Sequence, residues 1–561
     1  MKSKNLLLLI IIILFFSSFI SQAQNVSNSA QIHGDIQSDI KLYNADSKMG
    51  ITDSTLNGEK LRMNTFANII FTKGNFEAGA RFETYQNPIL GYDLRYKGTG
   101  IPYRYIKYSK DNYEITVGNF YEQFGSGLIF RTYENRDLGY DNSLDGLKVK
   151  ITPFKGFYIK AVYGKQRYYW AKANEGDRGI VRGIDGELNI NEAFKKLENK
   201  KTKIILGAGF VSKYQKDQNI ISHGDKLDLP KNVGAFSGRM NIIRGRINVM
   251  GEYAYKINDP SADNNYIYRK GEALLVQASY AQRGLGIFVG AKRIDNMNFR
   301  SDRTAIGQDL NINYLPALTK EHQYTLASMY PYATQPGGEV GFQAQIDYKI
   351  KKKTALGGKY GTKISINYSI ANALDTTIIA SDNIHKGYES DFFSIGDEKY
   401  FEDFSILIHK KINKKIKTTF SYVNIVYNNV AVKGHETENG EKMVYANIGI
   451  ADVSYKLKHG KSLRFEMQSL FTEQDKGDWI MGTVEYNTPK WFVAVMDQYN
   501  YGNDIKDNQL HYYTLSTGYH KGATRIAVTY GRQREGIICV GGVCRQVPAS
   551  NGLGLSLTTS F

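Results

Sequence analysis

Apolar and polar residues take turns along most of this chain. From about residue 30 to the C-terminus, alternating segments recur, separated in turn by a tight basic or Gly-containing bend and by a longer polar stretch. Strict alternation places successive side chains on opposite faces of a strand, so the pattern predicts β-hairpins in series. At the C-terminus, Leu553, Leu555, Leu557, Thr559 and Phe561 share one face, and Gly554, Ser556, Thr558 and Ser560 share the other. About ten residues is the length at which a tilted strand crosses a bilayer. Three internal segments divide as cleanly. Phe76, Ala78, Ala80 and Phe82 oppose Glu77, Gly79, Arg81 and Glu83; Val340, Phe342, Ala344, Ile346 and Tyr348 oppose Gly341, Gln343, Gln345, Asp347 and Lys349; Leu463, Phe465, Met467 and Phe471 oppose Arg464, Glu466 and Gln468. An Arg or Lys facing lipid at mid-membrane costs roughly 2–4 kcal/mol, so the charged sets are expected to face inward.

The tight bends fall at Lys73-Gly74-Asn75, Lys110-Asp111-Asn112, Pro153 to Gly156, about 195 to 201, Arg244-Gly245, Gln282-Arg283-Gly284, Lys351 to Lys353, Asn413 to Lys415, Lys458-His459-Gly460, Asn487-Thr488-Pro489 and Lys521-Gly522. Eleven hairpins with one strand before and one after them predict about 24 strands, within a range of roughly 20 to 26. All tight bends fall on one side, and the long stretches at 43–60, 166–182, 213–231, 257–270, 296–338, 374–399, 428–442 and 533–549 fall on the other. The fold expected is all-β: a single transmembrane antiparallel barrel, with short periplasmic turns and long extracellular loops.

Composition fits this reading. Among 561 residues there are 41 Tyr and 27 Phe, enough for two interfacial girdles, and only 10 Pro, which suits long strands. Mean hydropathy is negative, and no apolar run of about 18 residues follows residue 23, which excludes a helical membrane protein. The formal net charge of +17 is scattered, with many basic residues in the tight bends, and reads as solvation of one rim; nucleic acid is not an expected partner. Cys539 and Cys544 are expected to form a disulfide in an oxidising compartment. The nine His form no motif with Ser or Asp, and no phosphate-binding loop is present, so neither catalysis, cofactor nor metal is expected.

The ends indicate the compartment. Lys2 and Lys4 precede an apolar run from Leu6 to Ile20, and Ser21-Gln22-Ala23 offers small residues for cleavage, so residues 1–23 are expected to be a signal peptide and 24–561 the barrel. No lipidation Cys follows, and no plug domain is expected before the first strand. The C-terminal strand ending in Phe561 is similar to the signal that barrel-assembly machinery reads in Gram-negative outer-membrane proteins; Leu553, Leu555, Leu557 and Phe561 would carry it. The expected location is therefore the cell outer membrane.

One segment breaks the hairpin rhythm. Between Val117 and Asn142, Gly125 and Gly127 permit a sharp bend or close backbone approach, and Arg131, Glu134, Arg136, Asp137 and Asp141 follow as a dense set of both signs. It reads as a candidate constriction folded into the lumen or as a solvated surface loop. The segment resembles one in an uncharacterised family of Bacteroidota outer-membrane barrels, and Gln22-Ala23-Gln24 also resembles that phylum's secreted proteins; the family implies a barrel but no settled activity.

The leading expectation is a porin-like channel for passive diffusion of small hydrophilic solutes. Glu77, Arg81, Glu83, Gln343, Gln345, Asp347, Lys349, Arg464, Glu466 and Gln468 would line the pore. A lumen filled by paired charges and an inward loop is the other reading of the same residues, and it accompanies the competing function, a scaffold within an outer-membrane export or assembly complex. Partners would be outer-membrane lipid, the assembly machinery, and further copies of the chain or other outer-membrane proteins.

Overall fold

The computed structural model describes residues 30–172, 175–176, 178–379, 385–540 and 543–561. The signal peptide expected at 1–23 lies outside the described residues. Twenty-four strands form one sheet, with every neighbouring pair antiparallel, from Gln31–Tyr43 to Ser550–Ser560. The sheet closes on itself: the first strand pairs with the last, in register from Asp35 opposite Ser560 to Tyr43 opposite Gly552. Closure leaves no unpaired edge. Among the described residues no helix is long and apolar enough to cross a membrane, which says nothing of strands.

Alternation sets the faces as expected. Large apolar side chains stand exposed on the outer surface, among them Phe76, Ile106, Met467, Val495, Leu515, Leu553 and Leu555. The residues between them point inward: Arg81 and Glu83 are buried on the strand whose Phe76 and Phe82 are exposed.

The bends lie at one end, as the alternation requires. Most are two to five residues long, but the Lys351–Lys353 turn is longer than expected, because the strand resumes only at Thr362. The bend expected at about 195 to 201 begins earlier, where the strand Ile180–Asn189 ends in a short helical turn, Ile190–Ala193, capped by the Asn189 side chain. At the opposite end the connections include shorter loops at 86–97, 472–478 and 500–510, which lack the long polar runs that mark the others in the sequence.

Two long connections do not project outward. Residues 121–143 and 296–337 turn into the barrel and supply its core. The stretch at 296–338, expected as an exterior loop, thus lies largely within the lumen. A barrel of this strand number is too wide for side chains from the wall to fill, so further chain can occupy the space.

Candidate functional site: the lumen and its inward segments

The first inward segment leaves the strand Tyr113–Phe120 and rejoins the sheet at Leu144. Its Phe124, Leu128, Ile129 and Phe130 are fully buried, packed on Val162, Val181 and Val211 of the wall and on Phe299, Ile312 and Leu315 of the second segment. The tip lies against the wall at Glu252, whose Oε2 accepts from the Ser126 backbone N–H and hydroxyl, both at 2.7 Å. Gly125 adopts φ +52°, and a Cβ there would stand 2.6 Å from both carboxylate oxygens of Glu252. Both routes named for this glycine, left-handed backbone and close approach, are used at once.

Charges hold the root of this segment. Arg81 pairs with Glu83 at 2.7 Å and with Glu134 at 2.8 Å, and it also contacts Asp141. Arg167, from the following loop, reaches Glu83 at 2.7 Å and Asp141 at 2.7 Å, while the Tyr85 hydroxyl donates to Glu83 at 3.1 Å. Arg136 donates to Glu134 at 2.9 Å and to Gln37 at 2.8 Å. Three guanidinium groups and three carboxylates thus balance. Burial alone would push the Asp141 carboxyl up, but Arg167 and Arg81 outweigh it and hold the group below the usual carboxylate range.

The second segment is bound to the first and then crosses to the opposite wall. The Arg131 backbone N–H donates to Ile312 O at 2.9 Å, Tyr314 N–H to Gly127 O at 3.0 Å, and the Arg131 guanidinium sits between the rings of Tyr133 and Tyr314, 4.6 and 4.0 Å from their centroids. Further on, Leu326, Ala327, Tyr330 and Tyr332 form a second apolar core with Phe401, Val423, Tyr427 and Trp479. Polar groups fix its position. Leu326 N–H donates to the Gln468 side-chain oxygen at 2.9 Å, and the His322 ring meets Asp403. The buried pair Lys292–Glu339, at 2.6 Å, is satisfied on both sides: the ammonium donates to Pro316 O and the Thr334 hydroxyl at 2.7 Å each, and the carboxylate accepts from Tyr332 and from Gln335 N–H at 2.6 Å each. Such a pair adds little net stability beside an apolar replacement, but losing one partner is costly, so it specifies where the segment lies.

The residues expected to line a pore therefore divide into two sets. Arg81, Glu83, Gln343, Glu466 and Gln468 are buried, several of them against the inward segments, whereas Glu77, Gln345, Asp347, Lys349 and Arg464 keep some exposure nearer the short-turn end. Arg464 joins Asp452 at 3.0 Å and also meets Glu466. Of the candidate constriction residues, Arg131, Glu134, Arg136 and Asp141 make the contacts described. Sequence reading missed Arg167, Glu252, Lys292, His322 and Glu339. Glu252, the one carboxylate in the strand Ile247–Lys256, is the same kind of signal that singled out Arg81; Arg167 and His322 lie in loops, where alternation gives none.

At the mouth, Gly536–Val540 pairs with Val543–Val547, and Cys539 and Cys544, directly opposite in register, form a disulfide. The Gln308 amide donates to Cys544 O, and the Arg545 guanidinium lies 4.7 Å from the centroid of Tyr92. Between this hairpin and the second segment is a cavity of about 340 Å³, lined by residues including Lys320, Glu321, His322, Tyr332, Ile537 and Ile538. Among the described residues no cluster of His, Cys, Asp or Glu is arranged to hold a metal ion.

Fold and lumen together define a 24-stranded β-barrel internally packed by its own loops. The profile of DUF6029, a family of unknown function, matches residues 1–561, and the chain belongs to that family. No curated protein matches it. Among solved structures it is similar to the translocation pore of the P pilus usher PapC, at 8% identity over 95% of this chain and 99% of that one, with a TM-score of 0.41. It is also similar to the siderophore receptor PirA from Pseudomonas aeruginosa, at 10% identity over 96% and 81% with a TM-score of 0.40, and to OccD1 (OprD), at 10% over 96% and 97% with a TM-score of 0.33. Likenesses this distant carry no functional argument.

Proposed function

We propose that this chain is an outer-membrane channel that passes small hydrophilic solutes down their gradients through a lumen narrowed by its own inward segments. The apolar outer surface and charged inner surface support insertion in a membrane. The observation that carries the channel reading is the cavity of about 340 Å³, lined by charged and apolar side chains alike and flanked by Lys320, Glu321 and His322, left between the second inward segment and the mouth hairpin. It is of a size that admits a small solute. The path this implies is narrower than the open pore expected from alternation alone, and selection by size and by local charge follows. No catalytic step, cofactor or metal is part of this proposal.

Single-channel conductance of the purified full chain in a planar bilayer tests it. Small, steady openings support the channel. Silence from a folded, inserted barrel moves the weight to the scaffold reading, in which the packed lumen serves only to stiffen the barrel and gentle-detergent purification brings down stoichiometric partners.

A further inference from the structure

The outer surface carries a group of charges that the lumen does not use. Ile106, Val117, Leu147 and Tyr163 form an exposed row across four neighbouring strands, each directly opposite the next. Two residues nearer the loop end, the same face carries Arg104, Asn119, Asp145 and Lys165; Asn119 is opposite Asp145, and Asp145 is opposite Lys165. In a membrane the apolar row meets acyl chains, and a polar row one step beyond it stands at headgroup depth.

The loop after Gln166 folds over this polar row. Trp170 donates from its indole N–H to Tyr96 O at 2.6 Å, and its ring occupies the space that a Cβ on Gly98 or Gly100 would need, 2.8 and 3.2 Å away. The buried Arg178 guanidinium pins the loop by donating to Gln166 O at 2.8 Å and to Glu175 O at 3.1 Å. The pocket left between loop and wall measures about 200 Å³ and is lined by Ile101, Pro102, Arg104, Lys165, Trp170 and Lys172, among others.

Its charge is unbalanced. Among the described residues Asp145 is the lone carboxylate lining it, and its contact with the largely exposed Arg104 is long, at 3.5 Å. Among the described residues the ammonium groups of Lys165 and Lys172 make no ion pair or hydrogen bond; the Glu175 carboxylate meets Lys172 at its backbone N–H, at 3.0 Å, and not at its ammonium. Uncompensated cations beside an aromatic ring and apolar side chains, at the edge of a lipid-facing belt, suit a ligand that is anionic at one end and apolar at the other.

We propose that this pocket binds the phosphate group of a phosphorylated glycolipid of the outer leaflet. Arg104 and Lys165 would contact the phosphate oxygens, with Lys172 closing over them and Trp170 forming the side wall. The proposal rests on the outer-membrane placement above, and the two fail separately. Failure to insert or conduct bears on that placement, whereas phosphate-dependent binding in micelles bears on this pocket alone.

The test is binding of bisphosphorylated lipid A, and of the same lipid dephosphorylated, to the full chain in mixed micelles, followed by native mass spectrometry. Wild type is expected to hold the phosphorylated lipid at least about tenfold more tightly, and Arg104→Gln with Lys165→Gln to abolish that difference. Asp145→Asn, which keeps the cations and removes the opposing charge, is expected to bind the phosphorylated lipid more tightly than wild type, so the proposal stays testable if the double variant folds poorly. Equal binding of the two lipids by wild type, or no effect of either set of substitutions, would overturn it. Millimolar inorganic phosphate separates the sources: failure to displace the lipid supports the glycolipid as ligand, and full displacement overturns that choice in favour of free phosphate.

Discussion

Arg167 grips Glu83 through two parallel bonds, Nη1 to Oε1 at 2.8 Å and Nη2 to Oε2 at 2.7 Å, although 84 residues separate them in sequence. Glu83 also takes the Nε of Arg81 at 2.7 Å, so one buried carboxylate joins the barrel wall to the loop that follows the strand Phe157–Gln166. Through Asp141, which both arginines contact, the same network reaches the first inward segment.

Glu83→Ala leaves two buried guanidinium groups competing for Asp141 and Glu134. The expected loss of stability is about 3–5 kcal/mol, measured as a lower midpoint of thermal unfolding in detergent. In bilayers the variant is expected to conduct more than wild type, because residues 121–143 are held less firmly. Unchanged conductance with reduced stability would separate the network from the solute path.

Acid should act on the same contacts. Asp141 is held below the usual carboxylate range, so its contribution is present above the unfolded value of about 3.9 and is lost as pH falls through the lower folded value. Glu83, Glu134, Arg81 and Arg167 surround it. Conductance recorded from pH 7 downward is expected to stay level to about pH 4 and to rise below it; a rise beginning near pH 6 would point to a histidine instead.

Gln468→Leu removes the acceptor of Leu326 N–H on the far wall and leaves that buried donor unpaired. A cost of about 1–3 kcal/mol is expected. Limited proteolysis should then find new cleavage within residues 320–335 while the barrel remains folded.

Gly125→Ala forces an L-residue into left-handed backbone and its methyl into the Glu252 carboxylate. The expected cost is about 1–3 kcal/mol. Pairing it with Glu252→Gly, which vacates the contact but not the backbone demand, should restore part of the loss and thereby apportion the two causes.

Alternation made the barrel legible without coordinates. A period of two is a local property, and where one face meets lipid every second position must be apolar, so strands, faces and bends are written residue by residue. The C-terminal run from Leu553 to Phe561 and the segment from Phe76 to Glu83 both take the faces that their pattern requires. The shorter loops at 86–97, 472–478 and 500–510 carry no long polar run, so their composition does not set them apart from the strands they join.

What fills the lumen was decided only by tertiary structure. Residues 121–142 were readable as a constriction or as a surface loop, since Arg131, Glu134, Arg136 and Asp141 are equally at home in water or opposite a charged wall. Their partners Arg81, Arg167 and Tyr314 come from elsewhere in the chain, and no local period records which distant charge meets which. The polar inner face is determined by sequence because lipid excludes charge from the other side. Whether that face meets water or a folded segment depends on how the apolar residues of two distant loops, such as Phe130 and Ile312, pack together, and that is settled only when the closed barrel brings them into one space.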